Sequence, residues 1–203
     1  MSMAARLQLT FPCNYQIEPL DRVPMLIAEP RQFVFPKEVE EIERGAVIVR
    51  VRPQNGQRWI GTFARGFDSE TAITGLFSTP HPDWLCAVSG GYAYLVNADR
   101  PEEWHFVKSR PVLETRAVSE ANVLLFADFQ TLSGFTADAI LWHSAALSWE
   151  GLKITTINGH ELQGLGWDAI RDCEVPFRVD LRTGGHTGGA APKVAQYRRH
   201  VAG

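Results

Sequence analysis

The chain has 203 residues with a hydrophobic fraction of 45% and a charged fraction of 21%, values typical of a soluble globular protein of one domain or two small ones. The net charge is −3 and the isoelectric point is near 6.1, with no basic patch of the kind that follows phosphates, so we expect no nucleic-acid partner. No apolar run is long enough to span a membrane, and the first residues lack the apolar stretch of a signal peptide. We therefore expect a cytoplasmic protein of bacterial type with no membrane association.

The N-terminal region divides into an extended arm and one short helix. Five prolines lie between positions 12 and 36, and proline favours extended chain. We expect this arm to cover a sheet edge in its own chain or in a second copy. The segment PKEVEEIERG, with proline near its start and glycine past its end, predicts a short helix near 37–44.

The middle of the chain alternates in the manner of half-buried strands. Two alternating runs flank Asn55-Gly56, which predicts a β-hairpin over about 46–64. Three or four further strands are expected over residues 73–107, with Gly90-Gly91 as a tight turn between two of them. The later strand-like segments are residues 123–129, 139–145, 151–157, 161–167 and 175–181, and Asn158-Gly159 predicts a second hairpin between two of them.

These segments predict a mainly β fold. The strand groups near 92 and 152 have similar turn placement, which indicates a weak repeat of about 60 residues. We expect two antiparallel meander-like sheets, packed as a sandwich or as an incomplete propeller-like pair, within one globular β domain spanning 1–203. Within it, residues 1–110 would hold the arm and the first sheet, residues 111–190 the second sheet, and residues 191–203 a tail.

The segment RTGGHTGGAAP, residues 182–192, follows the strand VPFRVDL. It lacks the lysine and the helix of a phosphate loop, and its glycines suit a turn with positive φ. The pattern favours a flexible turn that ends the last strand. The alternative is a backbone nest for an anion, with Arg182 and His186 as ligand-binding residues.

The cysteines and histidines predict neither a metal site nor a cofactor. The three cysteines are widely spaced, and no two of the six histidines have the spacing of a local metal site. Cys86 lies in the apolar run WLCAV, so we expect a small core residue there.

Four of the six tryptophans adjoin an acidic residue, and aromatic rings beside carboxylates are typical of carbohydrate sites. Neighbouring residues in a strand face opposite sides of the sheet, however, so each pair favours a core tryptophan beside a solvent-facing acid. Trp142, Trp149 and Glu150 are the ligand-binding candidates. Asp128 and Asp138 are weak catalytic candidates, because a glycosidase needs two carboxylates about 5–9 Å apart.

Two hypotheses follow. The first is a non-catalytic β-sheet interaction protein whose partner is another protein or a second copy in a homodimer, since aromatic residues are common interface anchors. The alternative is a small-molecule or carbohydrate-binding protein, or a hydrolase that uses tryptophan and carboxylate residues. The lack of a nucleophile elbow favours the first.

Overall fold

The computed structural model describes residues 6–37 and 45–190, and the strands of this part of the chain form four sheets. The mainly β fold expected from the sequence is confirmed. The helix predicted near 37–44 and the tail at 191–203 lie outside the described residues, apart from position 37. A single turn of 3-10 helix, Ser119–Ala121, is the helical element described. Among the described helices, none is long and apolar enough to cross a bilayer.

Two sheets are built from the first half of the chain. Their strands are β1 (Arg6–Gln8), β2 (Tyr15–Leu20), β3 (Gln32–Phe35), β4 (Ala46–Pro53), β5 (Trp59–Ala64), β6 (Gly75–Ser78), β7 (Trp84–Ser89), β8 (Tyr92–Asn97) and β9 (Trp104–Phe106). The first sheet has the order β2–β4–β5–β3, and the second has the order β1–β6–β7–β8–β9.

Two more sheets follow in the second half, each an antiparallel meander in chain order. Their strands are β10 (Glu114–Val118), β11 (Val123–Ala127), β12 (Leu132–Thr136), β13 (Leu141–His143), β14 (Leu152–Asn158), β15 (Glu161–Asp168), β16 (Cys173–Asp180) and β17 (His186–Gly188). The third sheet comprises β10–β13 and the fourth comprises β14–β17.

The turns fall where the sequence predicts them. Strands β4 and β5 form the antiparallel hairpin around Asn55-Gly56, and β14 and β15 form a second one around Asn158-Gly159. Gly90 and Gly91 both have positive φ, 53° and 77°, and make the tight turn between β7 and β8.

The N-terminal arm covers a sheet edge of its own chain. Strand β1 pairs in parallel with β6 at the edge of the second sheet, and β2 pairs with β4 in the first sheet. Between them Phe11 is buried, and its amide donates to the Ser78 hydroxyl at 2.8 Å. The arm therefore ties the first two sheets together.

The four sheets stack face to face in chain order, like successive blades of an incomplete propeller. Three hydrophobic clusters fill the spaces between them: Val49, Trp59 and Tyr94 pack between the first and second sheets, and further clusters fill the next two spaces. Cys86 is fully buried in the middle cluster, as expected, and burial raises the pKa of its thiol far above the ordinary value.

The number of sheets, four instead of two, differs from the expectation because the inner sheets are buried on both faces. All residues of β7 and β11 are buried, and successive residues such as Leu124 and Leu125 enter different clusters. An apolar run of this kind does not alternate, so it does not reveal how many layers it separates. The fourth sheet does alternate, with Phe177 buried beside an exposed Arg178, which leaves its outer face uncovered by any described sheet.

The segment 182–192 also differs from the expected terminal turn. Residues His186–Gly188 form β17, which pairs with β16 and extends the fourth sheet by one strand. The turn before it requires glycine at 184, where φ is 74° and a Cβ would lie 2.6 Å from the Trp142 ring.

Candidate functional site

The two most exposed large apolar side chains of the described chain, Ile27 and Met25, lie with Leu26 in the connection between β2 and β3. Met25 is 79% exposed, Leu26 is 65% exposed and Ile27 is 93% exposed. Val23 is also exposed, and together residues 23–27 form what we term the apolar loop. Contiguous exposed apolar residues are a mark of an interaction surface, whereas single exposed apolar residues are ordinary.

The apolar loop is held on the outer face of the first sheet by a buried carboxylate. Glu29 is 5% exposed, and its two oxygens accept from Arg50 Nε at 3.0 Å and Arg58 Nε at 3.1 Å. The Arg50 guanidinium also donates to Glu18 at 2.8 Å, and this hydrogen bond is the main reason that the pKa of Glu18 is lowered. Because the Glu29 carboxylate is buried and paired with two arginines, it fixes the C-terminal end of the apolar loop to the first sheet.

Hydrogen bonds to the backbone fix the rest of the loop. Gln32 Nε2 donates to the carbonyls of Pro24 and Glu29, both at 3.0 Å. The Ala28 amide donates to the Met25 carbonyl at 3.0 Å, which closes a turn around the two residues between them. The loop is therefore ordered before it meets a partner, and a preordered loop loses less entropy on binding.

The second candidate feature is a concave surface on the outer face of the fourth sheet. One hollow of about 590 Å³ lies beside the turns that precede β15 and β17, and a second of about 330 Å³ lies next to it. The two share Arg178 and Thr187, and together we term them the outer groove. Arg182 and His186 line the larger hollow, so the structure brings these two predicted ligand-binding residues together.

The glycine-rich turn is hydrogen-bonded to a carboxylate of its own chain, that of Asp180. Arg182 donates to the Asp180 carboxylate through Nε at 3.0 Å and through a terminal nitrogen at 2.8 Å. The amides of Arg182 and Gly184 donate to the side chain and the carbonyl of Asp180 respectively. The hydrogen bonds from Arg182 lower the pKa of the Asp180 carboxyl, with the Arg182 side chain as the main cause and its amide as the next. The amides of residues 182–185 all donate within the turn, to Asp180 or to the Thr183 hydroxyl, so the predicted backbone nest has no free amide among these four.

Asp128 and Asp138 do not form a catalytic pair. The Asp128 carboxylate accepts from the amides of Arg110 and Gln130 and from the Thr131 hydroxyl, so it caps the turn before β12. Asp138 follows β12 and is exposed. The two acids lie beyond opposite ends of β12, whose five residues extend about 13 Å, which is more than the separation of about 5–9 Å that a glycosidase requires.

The two tryptophan candidates and Glu150 are also separated from one another. Trp142 is 6% exposed in the cluster between the third and fourth sheets, and its Nε1 donates to the Leu181 carbonyl at 2.8 Å. Trp149 is half-buried and Glu150 is exposed, at the other end of the fourth sheet from the glycine-rich turn. The geometry thus makes Trp142 a core residue and does not gather the three around one cavity.

Sequence reasoning missed the apolar loop. The signal was available as VPMLIA, an apolar run that neither alternates nor lies between turn residues, within an arm expected to be extended. Over the residues that the structure describes, no group of three or more potential metal ligands comes together.

Comparison with known proteins adds little. No protein-family model matches the chain, and no curated protein matches it. Among solved structures, the chain is similar to the N-terminal domain of Nup159, with 13% sequence identity, a TM-score of 0.33, and coverage of 94% of this chain and 55% of that one. The chain therefore spans about half the length of that domain, and at this TM-score neither structure informs the other.

Proposed function

We propose that this protein is a non-catalytic interaction module whose apolar loop binds an apolar surface of another protein. The observation that carries the proposal is the exposure of three consecutive apolar side chains on a loop fastened by Glu29. Burying each of these side chains at an interface contributes about 1.5–3 kcal/mol. A cluster of this size is enough to act as the anchor of a protein interface.

The charges around the loop favour a protein over a lipid surface. Asp21 and Arg22 precede the apolar residues, and Glu29 and Arg31 follow them, so acids and bases are balanced. Segments that bind anionic membranes carry an excess of basic residues next to their apolar ones. Asp128, one of the two acids that a hydrolase would need, caps a turn instead, which also favours a binding role.

Site-specific photo-crosslinking tests this proposal. We expect a photoreactive amino acid at Ile27 to form crosslinks to protein in the cell, because this side chain would be buried against the partner. The control is the same amino acid at Ile170, which is 78% exposed but stands alone in a turn of the fourth sheet. Equal crosslinking from the two positions, or none from either, would contradict the proposal.

A further inference from the structure

We infer that the partner of the apolar loop is a second copy of this chain, and that the loop docks in the outer groove of that copy's fourth sheet. The inference rests on the proposed function, since it names what the loop binds. It is carried by the positions of the two features in the stack, by their chemistry and by the number of sheets.

The two features lie at opposite ends of the stack. In the described part of the chain, the second and third sheets have a sheet against each face, whereas the first and fourth have one only on the inner face. The apolar loop lies on the outer face of the first sheet, where Arg50 holds Glu29, and the outer groove lies on the outer face of the fourth. Contact between them is therefore head to tail, and each copy offers one half of the contact.

The floor of the outer groove suits an apolar occupant. Leu165 and Pro176 are directly opposite each other in β15 and β16, and both line the smaller hollow. Their side chains project away from the core because Phe177, the next residue, enters it. At the rim, the Thr155 hydroxyl donates to the Gln163 carbonyl and Gln163 Nε2 donates to Glu161, so the polar rim is hydrogen-bonded within the sheet and the apolar floor is left for the loop.

The number of sheets permits closure. Each copy contributes four sheets, so two copies joined head to tail at both ends provide eight. Closed propellers have typically 4–8 blades, and a head-to-tail contact that closes on itself gives a finite ring. A dimer in which both loops are docked leaves neither outer face open.

Sedimentation velocity with two complementary variants tests the inference. We expect the wild-type chain to be mainly a dimer at about 10–100 µM, with a dissociation constant near the micromolar range. Ile27→Asp alters the loop and Leu165→Arg alters the groove, and each variant alone should be a monomer. An equimolar mixture should recover a dimer, because the intact groove of one variant receives the intact loop of the other.

Controls separate this inference from the proposed function. Ile170→Asp should remain dimeric, and Pro176→Glu, at an exposed position, replaces Leu165→Arg if the latter unfolds on circular dichroism. A monomeric wild type, or a mixture of variants that stays monomeric, would overturn the inference. If Ile27 then crosslinks to a different protein, the proposed function stands with another partner, whereas absence of any crosslink from Ile27 removes both.

Discussion

Replacing Leu124 by alanine, or Leu125 by alanine, is expected to lower the free energy of unfolding by about 2–5 kcal/mol in each case. The two residues are adjacent in β11 and both are completely buried. Leu124 packs between the second and third sheets and Leu125 between the third and fourth, so each substitution leaves a cavity in a different cluster. Urea unfolding followed by tryptophan fluorescence measures both losses.

A matched pair in the fourth sheet provides the control. Phe177 is buried and Arg178 is exposed, although they too are adjacent in one strand. We expect Phe177→Ala to cost about 3–5 kcal/mol and Arg178→Ala to stay within about 0.5 kcal/mol. If one of the two leucine substitutions proved nearly neutral, the third sheet would have a solvent-facing side, and the stacked arrangement would be wrong.

Trp142→Ala is expected to cost about 3–5 kcal/mol of stability, an effect as large as that of Phe177→Ala. The indole fills the space between the third and fourth sheets, where Gly134 and Gly184 both leave room for its ring. Its Nε1 hydrogen bond to the Leu181 carbonyl also anchors the strand end before the glycine-rich turn.

Trp142→Phe separates packing from hydrogen bonding. This variant keeps an aromatic ring but leaves the Leu181 carbonyl without its donor, which costs about 1–3 kcal/mol in a buried site. The measurement is again the unfolding free energy of each variant in urea. A Trp142→Ala variant with wild-type stability would mean that the indole is free to contact a ligand, as the carbohydrate hypothesis requires.

The parts of the fold that sequence predicts well are those set by local chemistry. Asn55-Gly56 and Asn158-Gly159 place two hairpins because an Asn-Gly pair between two alternating runs favours a turn, and Gly159 adopts a positive φ of 55° there. The alternation of Val47, Val49 and Val51 likewise gives the buried face of β4, which the structure confirms.

The number of sheets and the site depend on tertiary contacts that the sequence does not encode locally. A run such as VLLFA is equally compatible with one layer or with a strand between two layers, since both faces are apolar. The apolar run in residues 23–27 has the same ambiguity, because contacts distant in sequence place it at the surface: the ion pairs of Glu29 with Arg50 on β4 and with Arg58 before β5. Asp180 was overlooked because its carboxylate binds the turn that follows it, which the spacing of glycines does not reveal.

Hydroxyl-radical footprinting of the monomer, at a concentration well below the onset of association, tests the central claim most directly. The claim is that the free chain presents an ordered apolar loop to its partners. We predict rapid modification of Met25, Leu26 and Ile27, with complete protection of Ile60, which is buried on the same side of the first sheet. Protection of the loop side chains to the level of Ile60 in the monomer would show that they pack within their own chain and would contradict the account.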